Sequence, residues 1–228
     1  MSKYFFLIFL FASKAYAVSL GSYYHLLESD QESITIEVEN PDRTAAHVVA
    51  LEVVPIDSPY SMNEIKVSPE EEGYLLFTPV RSMLPAGGKG KYKFVYKGPA
   101  DDKERYYAIL WRDSRLDRVG PSSDDLVIGN VATTVSIRTA LVVNPRQESR
   151  SYRWDGKRLL NSGNSTFRFY ASGKCANSPE NNCEIYRPVM PGKDVPVHEK
   201  LDVTDSNMSM GAWRNNSFLP FGREVVSD

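Results

Sequence analysis

An all-β fold of two immunoglobulin-like sandwiches, with one unusually long strand at the end of the first, is predicted by three features of the 228-residue sequence. Short alternating runs rich in β-branched and aromatic residues recur between clusters of Gly, Pro, Asn and Asp, and no window of about a dozen residues carries a capped period of 3.6. About seven such runs precede Pro145 and six or seven shorter ones follow it, a count that fits two Greek-key sandwiches, although neither half has the Cys…Trp…Cys spacing of antibody domains. Finally, Asp125 to Pro145 reads DLVIGNVATTVSIRTALVVNP, which places Val131, Thr133, Val135, Ile137, Thr139, Leu141 and Val143 on one face. Fully extended, Leu126 to Val143 would span about 60 Å, against about 17 to 20 Å for an ordinary strand. One small sandwich cannot pair that length. The excess either leads into a second domain or stays as an open edge, and an apolar edge that is tolerated in the open is a candidate binding site.

Along the chain, Lys3, the apolar run Tyr4 to Ala12 and the ending Ala15-Tyr16-Ala17 form the pattern of a secretory leader, too short to span a bilayer comfortably. The expected organisation is a signal peptide over 1–17, a first domain over 18–145 and a second over 146–228. Ser19 to Leu27 reads as the first strand, and Ser33 to Glu39 alternates with Ile34, Ile36 and Val38 inward before the turn Asn40-Pro41-Asp42. Ala46 to Val54 is more continuously apolar and ends at Pro55. Tyr74 to Pro79, Lys91 to Tyr96 and Glu104 to Arg112 are the next strands, with Asp113 to Asp124 read as a polar loop before the long strand. Beyond Pro145 the same grammar gives Ser151 to Trp154, Arg158 to Leu160, Thr166 to Ala171, Ile185 to Pro188, Asp194 to Val197, Met208 to Trp213 and Ser217 to Pro220.

Composition narrows the function. The 27 basic and 29 acidic residues are interspersed and leave a net charge of −2, so nothing points to a nucleic-acid partner. The stretch Gly87-Gly88-Lys89-Gly90-Lys91 lacks the spacing of a phosphate loop and connects strand to strand, and no small-molecule substrate or cofactor is implied. His25, His47 and His198 are scattered, no hydrolase or metalloprotease signature occurs, and the acidic runs Glu70 to Glu72 and Asp124-Asp125 read as solvated loops, so no enzyme is indicated. In an exported chain Cys175 and Cys183 are expected to form a disulfide around a polar surface loop; a metal site would need further His or Cys ligands nearby. Asn164, Asn207 and Asn215 begin Asn-x-Ser/Thr triplets, which arise readily by chance in a turn-rich chain.

Three stretches are more specific: Tyr96-Lys97-Gly98-Pro99-Ala100-Asp101-Asp102-Lys103-Glu104-Arg105-Tyr106-Tyr107, Thr139-Ala140-Leu141-Val142-Val143-Asn144-Pro145-Arg146-Gln147 and Leu160-Asn161-Ser162-Gly163-Asn164-Ser165-Thr166. With Met190-Pro191-Gly192-Lys193, they make the whole mature chain resemble periplasmic fimbrial chaperones, most closely those of the alternate chaperone/usher class of common-pilus type. The resemblance implies two immunoglobulin-like domains set at an angle, no catalysis, pilin subunits as partners, and delivery of those subunits to an outer-membrane usher. It also implies donor-strand complementation, in which the long strand fills the groove left by a pilin's missing strand. The donor positions it selects are Val131, Thr133, Val135 and Ile137; from the alternation alone, Val135 and Ile137 would instead fill the sandwich's own core. The family grips the pilin's terminal carboxylate with an Arg on the first strand and a Lys near the end of the long strand. Here Tyr24 and Ala140 stand at those places, which makes Arg138 the first substitute and Arg146 the second, with a solvated strand charge as the plainer role for Arg138. The reading from another functional class is a secreted sandwich adhesin that binds through apical loops.

Overall fold

The computed structural model describes residues 17–116, 134–214 and 217–223. The first half contains β1 (Tyr24–Leu27), β2 (Ser33–Glu39), β3 (Ala46–Pro55), a single turn of helix α1 (Pro69–Glu72), β4 (Leu75–Thr78), β5 (Arg81–Leu84), β6 (Lys89–Tyr96), β7 (Arg105–Leu116) and β8 (Thr134–Val143). These strands form two sheets, ordered β1-β8-β7-β3-β5 and β2-β6-β4. Among the described strands of this half, only β1 runs parallel to its neighbour, pairing Tyr24 to Leu27 with Ala140 to Val143.

Alternation decides which side chains enter this sandwich. In β2, Ile36 and Val38 are buried while Thr35 and Glu37 face water, and in β6, Tyr92, Phe94 and Tyr96 are buried between exposed lysines. Facing them, Tyr107, Ile109 and Trp111 of β7 occupy alternate positions on the inner side. Trp111 is fully buried, with the rings of Tyr92 and Phe94 edge-on at 5.2 and 6.3 Å. Its indole Nε1 donates to Thr139 Oγ1 at 2.9 Å, so the polar end of the ring is satisfied without water. Truncating such a side chain to Ala typically costs about 3 to 5 kcal/mol.

The second half contains β9 (Tyr152–Trp154), β10 (Arg158–Asn161), β11 (Phe167–Cys175), β12 (Ser178–Val189), β13 (Asp194–Pro196), β14 (Ser209–Arg214) and β15 (Ser217–Pro220), with a 3-10 turn at Val197–Glu199. Its sheets are β12-β11-β14-β15 and β13-β10-β9, around a separate core built on Trp154, Leu159, Phe169 and Met210. The turn from Met190 to Lys193 closes through Lys193 N donating to Met190 O at 3.0 Å, and Gly192 takes φ 70°, which a residue with a Cβ adopts only with strain.

The all-β architecture expected from the sequence is present, and several elements differ in extent. Ser19 to Leu27 is not one strand: Ser19 bridges Glu39 of β2, the chain turns at Gly21 with φ 69°, and only Tyr24 onward joins β8. β5 has no counterpart in the reading of the sequence, because its exposed-edge residues Arg81-Ser82-Met83 carry no apolar alternation. β7 continues through Asp113 to Leu116, since Asp113 is buried and hydrogen-bonded rather than solvated. Glu70 to Glu72 lie in α1, with Glu70 and Glu72 exposed and Glu71 half-buried, and the helix is capped by Ser68 and Glu71 in a reciprocal box. Cys175 and Cys183 are bonded as expected, with Cα atoms 5.0 Å apart, and the segment they close is the end of the β11–β12 hairpin rather than an irregular loop. As the outermost strand of its sheet, β12 faces water along much of its length, so polar residues suit it.

Candidate functional site

β8 is covered unequally on its two edges. Toward β7 it is paired along its whole length, from Thr134 opposite Ser114 to Val143 opposite Arg105. Toward β1 the pairing begins only at Ala140, so among the described residues no strand covers Thr134 to Thr139 on that side. Ala140 N donates to Tyr23 O at 2.9 Å and Asn144 N to Leu27 O at 3.0 Å. Even-numbered residues of β8 therefore aim their peptide groups toward β1, and the N–H and C=O groups of Thr134, Ser136 and Arg138 point out of the open edge. A crevice of about 310 Å³ lies there, lined by residues 18–23 and Ile137.

The odd-numbered face grades from core to partly exposed. Leu141 and Val143 belong to the first core, Thr139 is buried under Trp111, and Ile137 packs partly against that core. Val135 is half-buried, lies outside the core cluster and stands opposite Asp113 of β7. Val131 and Thr133 lie outside the described residues.

On the even face, Tyr24 and Ala140 are direct register partners, so the two places where basic residues were expected adjoin each other. The Tyr24 hydroxyl is buried with no hydrogen-bond partner among the described residues, and its pKa is raised by burial first and by Glu104 second. Arg138 lies two residues before Ala140 on the same face; its guanidinium donates to Glu64 Oε1 at 2.8 Å and to Met62 O at 3.2 Å. Arg146 is placed differently. It donates to Glu28 O and Ser29 O, both at 2.9 Å, and sits 5.0 Å over the Tyr96 ring. Those contacts tie it to the end of β1, while the Arg138–Glu64 pair is exposed and of the kind worth at most about 1 kcal/mol.

The three sequence stretches singled out above meet where the two halves join. Glu104 accepts from both the backbone N and the hydroxyl of Thr166, Asn144 Nδ2 donates to Thr166 O at 3.2 Å, and Asn164 Nδ2 donates to Asp102 O and Gln147 O at 3.0 Å each. The buried Glu28 carboxylate faces Arg168 at 3.3 Å and Arg150 at 3.6 Å. Burial raises its pKa, and Arg168 opposes that shift. Glu104 is raised as well, again chiefly by burial. None of these acids was legible as a site residue, because each acquires its partners from a distant part of the chain. One signal was local: Asp113 shares its strand face with Tyr107, Ile109 and Trp111, and a carboxylate at an inward position needs a donor.

A protein-family profile described as the EcpB C-terminal domain matches residues 150–221. A protein of Escherichia coli strain K12 named "Probable fimbrial chaperone EcpB" is 32% identical over 218 residues, covering 94% of this chain and 95% of its own, and the protein of the same name from Shigella boydii serotype 4 matches at the same identity and coverage. Among solved structures, a complex of the Salmonella enterica SafA pilin with the SafB chaperone matches at a TM-score of 0.49 and 14% identity, covering 88% of this chain and 91% of that one. The periplasmic chaperone SfaE matches at a TM-score of 0.47 and 12% identity, covering 92% of this chain and 100% of its own.

Proposed function

The chain belongs to the EcpB family of fimbrial chaperones, and from that membership we propose that it binds, folds and caps pilin subunits by lending them the open edge of β8. It is not an enzyme, and fimbrial chaperones are periplasmic proteins. The observation that carries the proposal is the unequal cover of β8, with β1 reaching no further than Ala140 and outward-facing peptide groups at Thr134, Ser136 and Arg138. An extended segment of a pilin would hydrogen-bond to those groups irrespective of its sequence, while the donor side chains Val131, Thr133, Val135 and Ile137 would enter the pilin's incomplete core. Ile137 serves both sides, since it also rests on the chaperone's own core.

For the pilin's terminal carboxylate, Arg138 is the better of the two candidates. Its pair with Glu64 is exposed and exchangeable, whereas Arg146 holds two carbonyls at the end of β1. The same proposal includes removal of a leader after Ala17, division of the chain into domains over 18–145 and 146–228, and delivery of the capped subunit to an outer-membrane usher.

Ser136→Pro tests the edge directly. The Ser136 side chain is exposed and its N–H faces the uncovered side, where a proline is tolerated by the strand but cannot donate to a partner. Co-expressed with a pilin, the variant should melt like the parent and fail to recover pilin from the periplasm. A folded Ser136→Pro protein that captures pilin normally would refute capture along this edge.

A further inference from the structure

The strongest buried polar cluster away from the partner edge lies where the chain's first described residues meet β3 and β7. Asp113, only 2% exposed, receives Nδ1 of His47 at 2.7 Å on one carboxylate oxygen and the backbone N of Val18 at 3.0 Å on the other. His47 and Val18 are themselves 1% and 4% exposed. The nearest acid to His47 Nε2 is Asp42, whose Oδ2 lies at 3.7 Å, beyond hydrogen-bonding distance, and that nitrogen has no partner among the described residues. A carboxylate can only accept, so the Nδ1 hydrogen of His47 is donated to Asp113. Asp42 is already served by Arg115 Nε at 2.8 Å and by the Thr44 amide and hydroxyl. Asp113 is thus a buried carboxylate that, among the described residues, accepts one hydrogen bond on each oxygen, from His47 and from the Val18 backbone, and a positive charge at Val18 would strengthen the second of them.

We propose that Asp113 is the binding site for the mature chain's own N-terminal ammonium, created at Val18 when the leader is removed. This rests on cleavage after Ala17. The motif Ala15-Tyr16-Ala17 and the buried carboxylate single out the same peptide bond by independent routes, one from protease recognition and one from geometry. Processing breaks the Ala17–Val18 amide by hydrolysis, leaving a carboxylate on the leader and an amine on Val18 that takes up a proton. The nitrogen already in place at 3.0 Å then changes from a neutral amide donor to a cation.

The backbone there has little freedom to place the charge elsewhere. Ser19 N donates to Glu39 O at 2.8 Å, Glu39 N donates to Ser19 O at 2.9 Å, and the side chains of Val18 and Leu20 are both in the first core. A cut one residue earlier would move the ammonium about 3.8 Å along the chain, out of contact with the carboxylate. Since Asp113 stands directly opposite Val135, the ion pair fastens the first residue of the mature chain beneath the stretch of β8 that has the open edge. Leader removal therefore completes the part of the first sandwich that a partner would engage.

The experiment compares three full-length proteins: the natural periplasmic product, a chain released in vitro to begin at Val18, and the same chain with Ala17 retained. Intact mass of the periplasmic product reports its start, and a start other than Val18 overturns the cleavage reading whatever Asp113 does. The Val18 chain should melt at least about 4 °C above the Ala17 chain, and that gap should vanish when both carry Asp113→Asn. Should Asp113→Asn fail to fold, reductive methylation of the unaltered Val18 chain decides the matter. Its α-amine should label at least about tenfold more slowly than exposed lysines, because reaction requires the N-terminal segment to open. Equal melting of the Val18 and Ala17 chains, or an α-amine that labels as fast as lysine, overturns the pairing.

Discussion

Replacing Val135 with Asn separates a donor side chain from a core side chain. Val135 is half-buried and outside the core cluster, so the free protein should lose no more than about 0.5 kcal/mol, or roughly 2 °C in Tm. In a pilin groove the same change removes about 1.5 to 3 kcal/mol of apolar burial and adds about 1 to 3 kcal/mol for an amide without a partner. Together these predict a Kd for pilin raised by roughly two to four powers of ten. Asparagine is the cleaner substitution because Val135 stands opposite the buried Asp113, and an aspartate there would place like charges face to face. Ile137→Asn is the companion variant: it should weaken capture and lower Tm as well, since Ile137 packs against the protein's own core. The assay is competition between wild-type and variant chaperone for one refolding pilin, with Tm measured on each chaperone alone. If Val135→Asn lowers Tm as far as Ile137→Asn does, the side chain belongs to the core. If it stays folded and competes like wild type, Val135 is not a donor.

Arg138→Ala should weaken pilin binding by about 2 to 5 kcal/mol if its partner carboxylate is desolvated in the complex, with Tm almost unchanged because its pair with Glu64 is exposed. The variant and wild type should bind a C-terminally amidated pilin equally, and a persisting difference would show that Arg138 does not grip the carboxylate. Burial lowers the His25 pKa from 6.5 to about 4, so the unfolded chain takes up a proton that the folded chain resists. Stability from this group is complete above about pH 6.5 and is lost as pH falls toward 4; thermal melts of His25→Gln should therefore show a shallower decline than wild type over that window, and parallel declines would refute the assignment.

The sequence by itself determined the strand periodicities, the turn at Met190 to Lys193, the disulfide partners and the family, because each is written in residues close together along the chain. Asp113, by contrast, reads from the sequence as the start of a polar loop, although it continues the inward face of β7. What only the tertiary structure decided is where β8 is left open. That depends on the chain turning at Gly21, so that residue 19 joins β2 while Tyr24 joins β8, and a nine-residue apolar stretch cannot announce that it divides between two sheets. The same holds for charge. Glu28 and Arg168 are 140 positions apart, so neither member of the pair carries a local mark of the other. Hydrophobic alternation is a property of neighbouring residues, whereas a free strand edge and a buried ion pair are properties of distant segments brought together by the packing of the sheets.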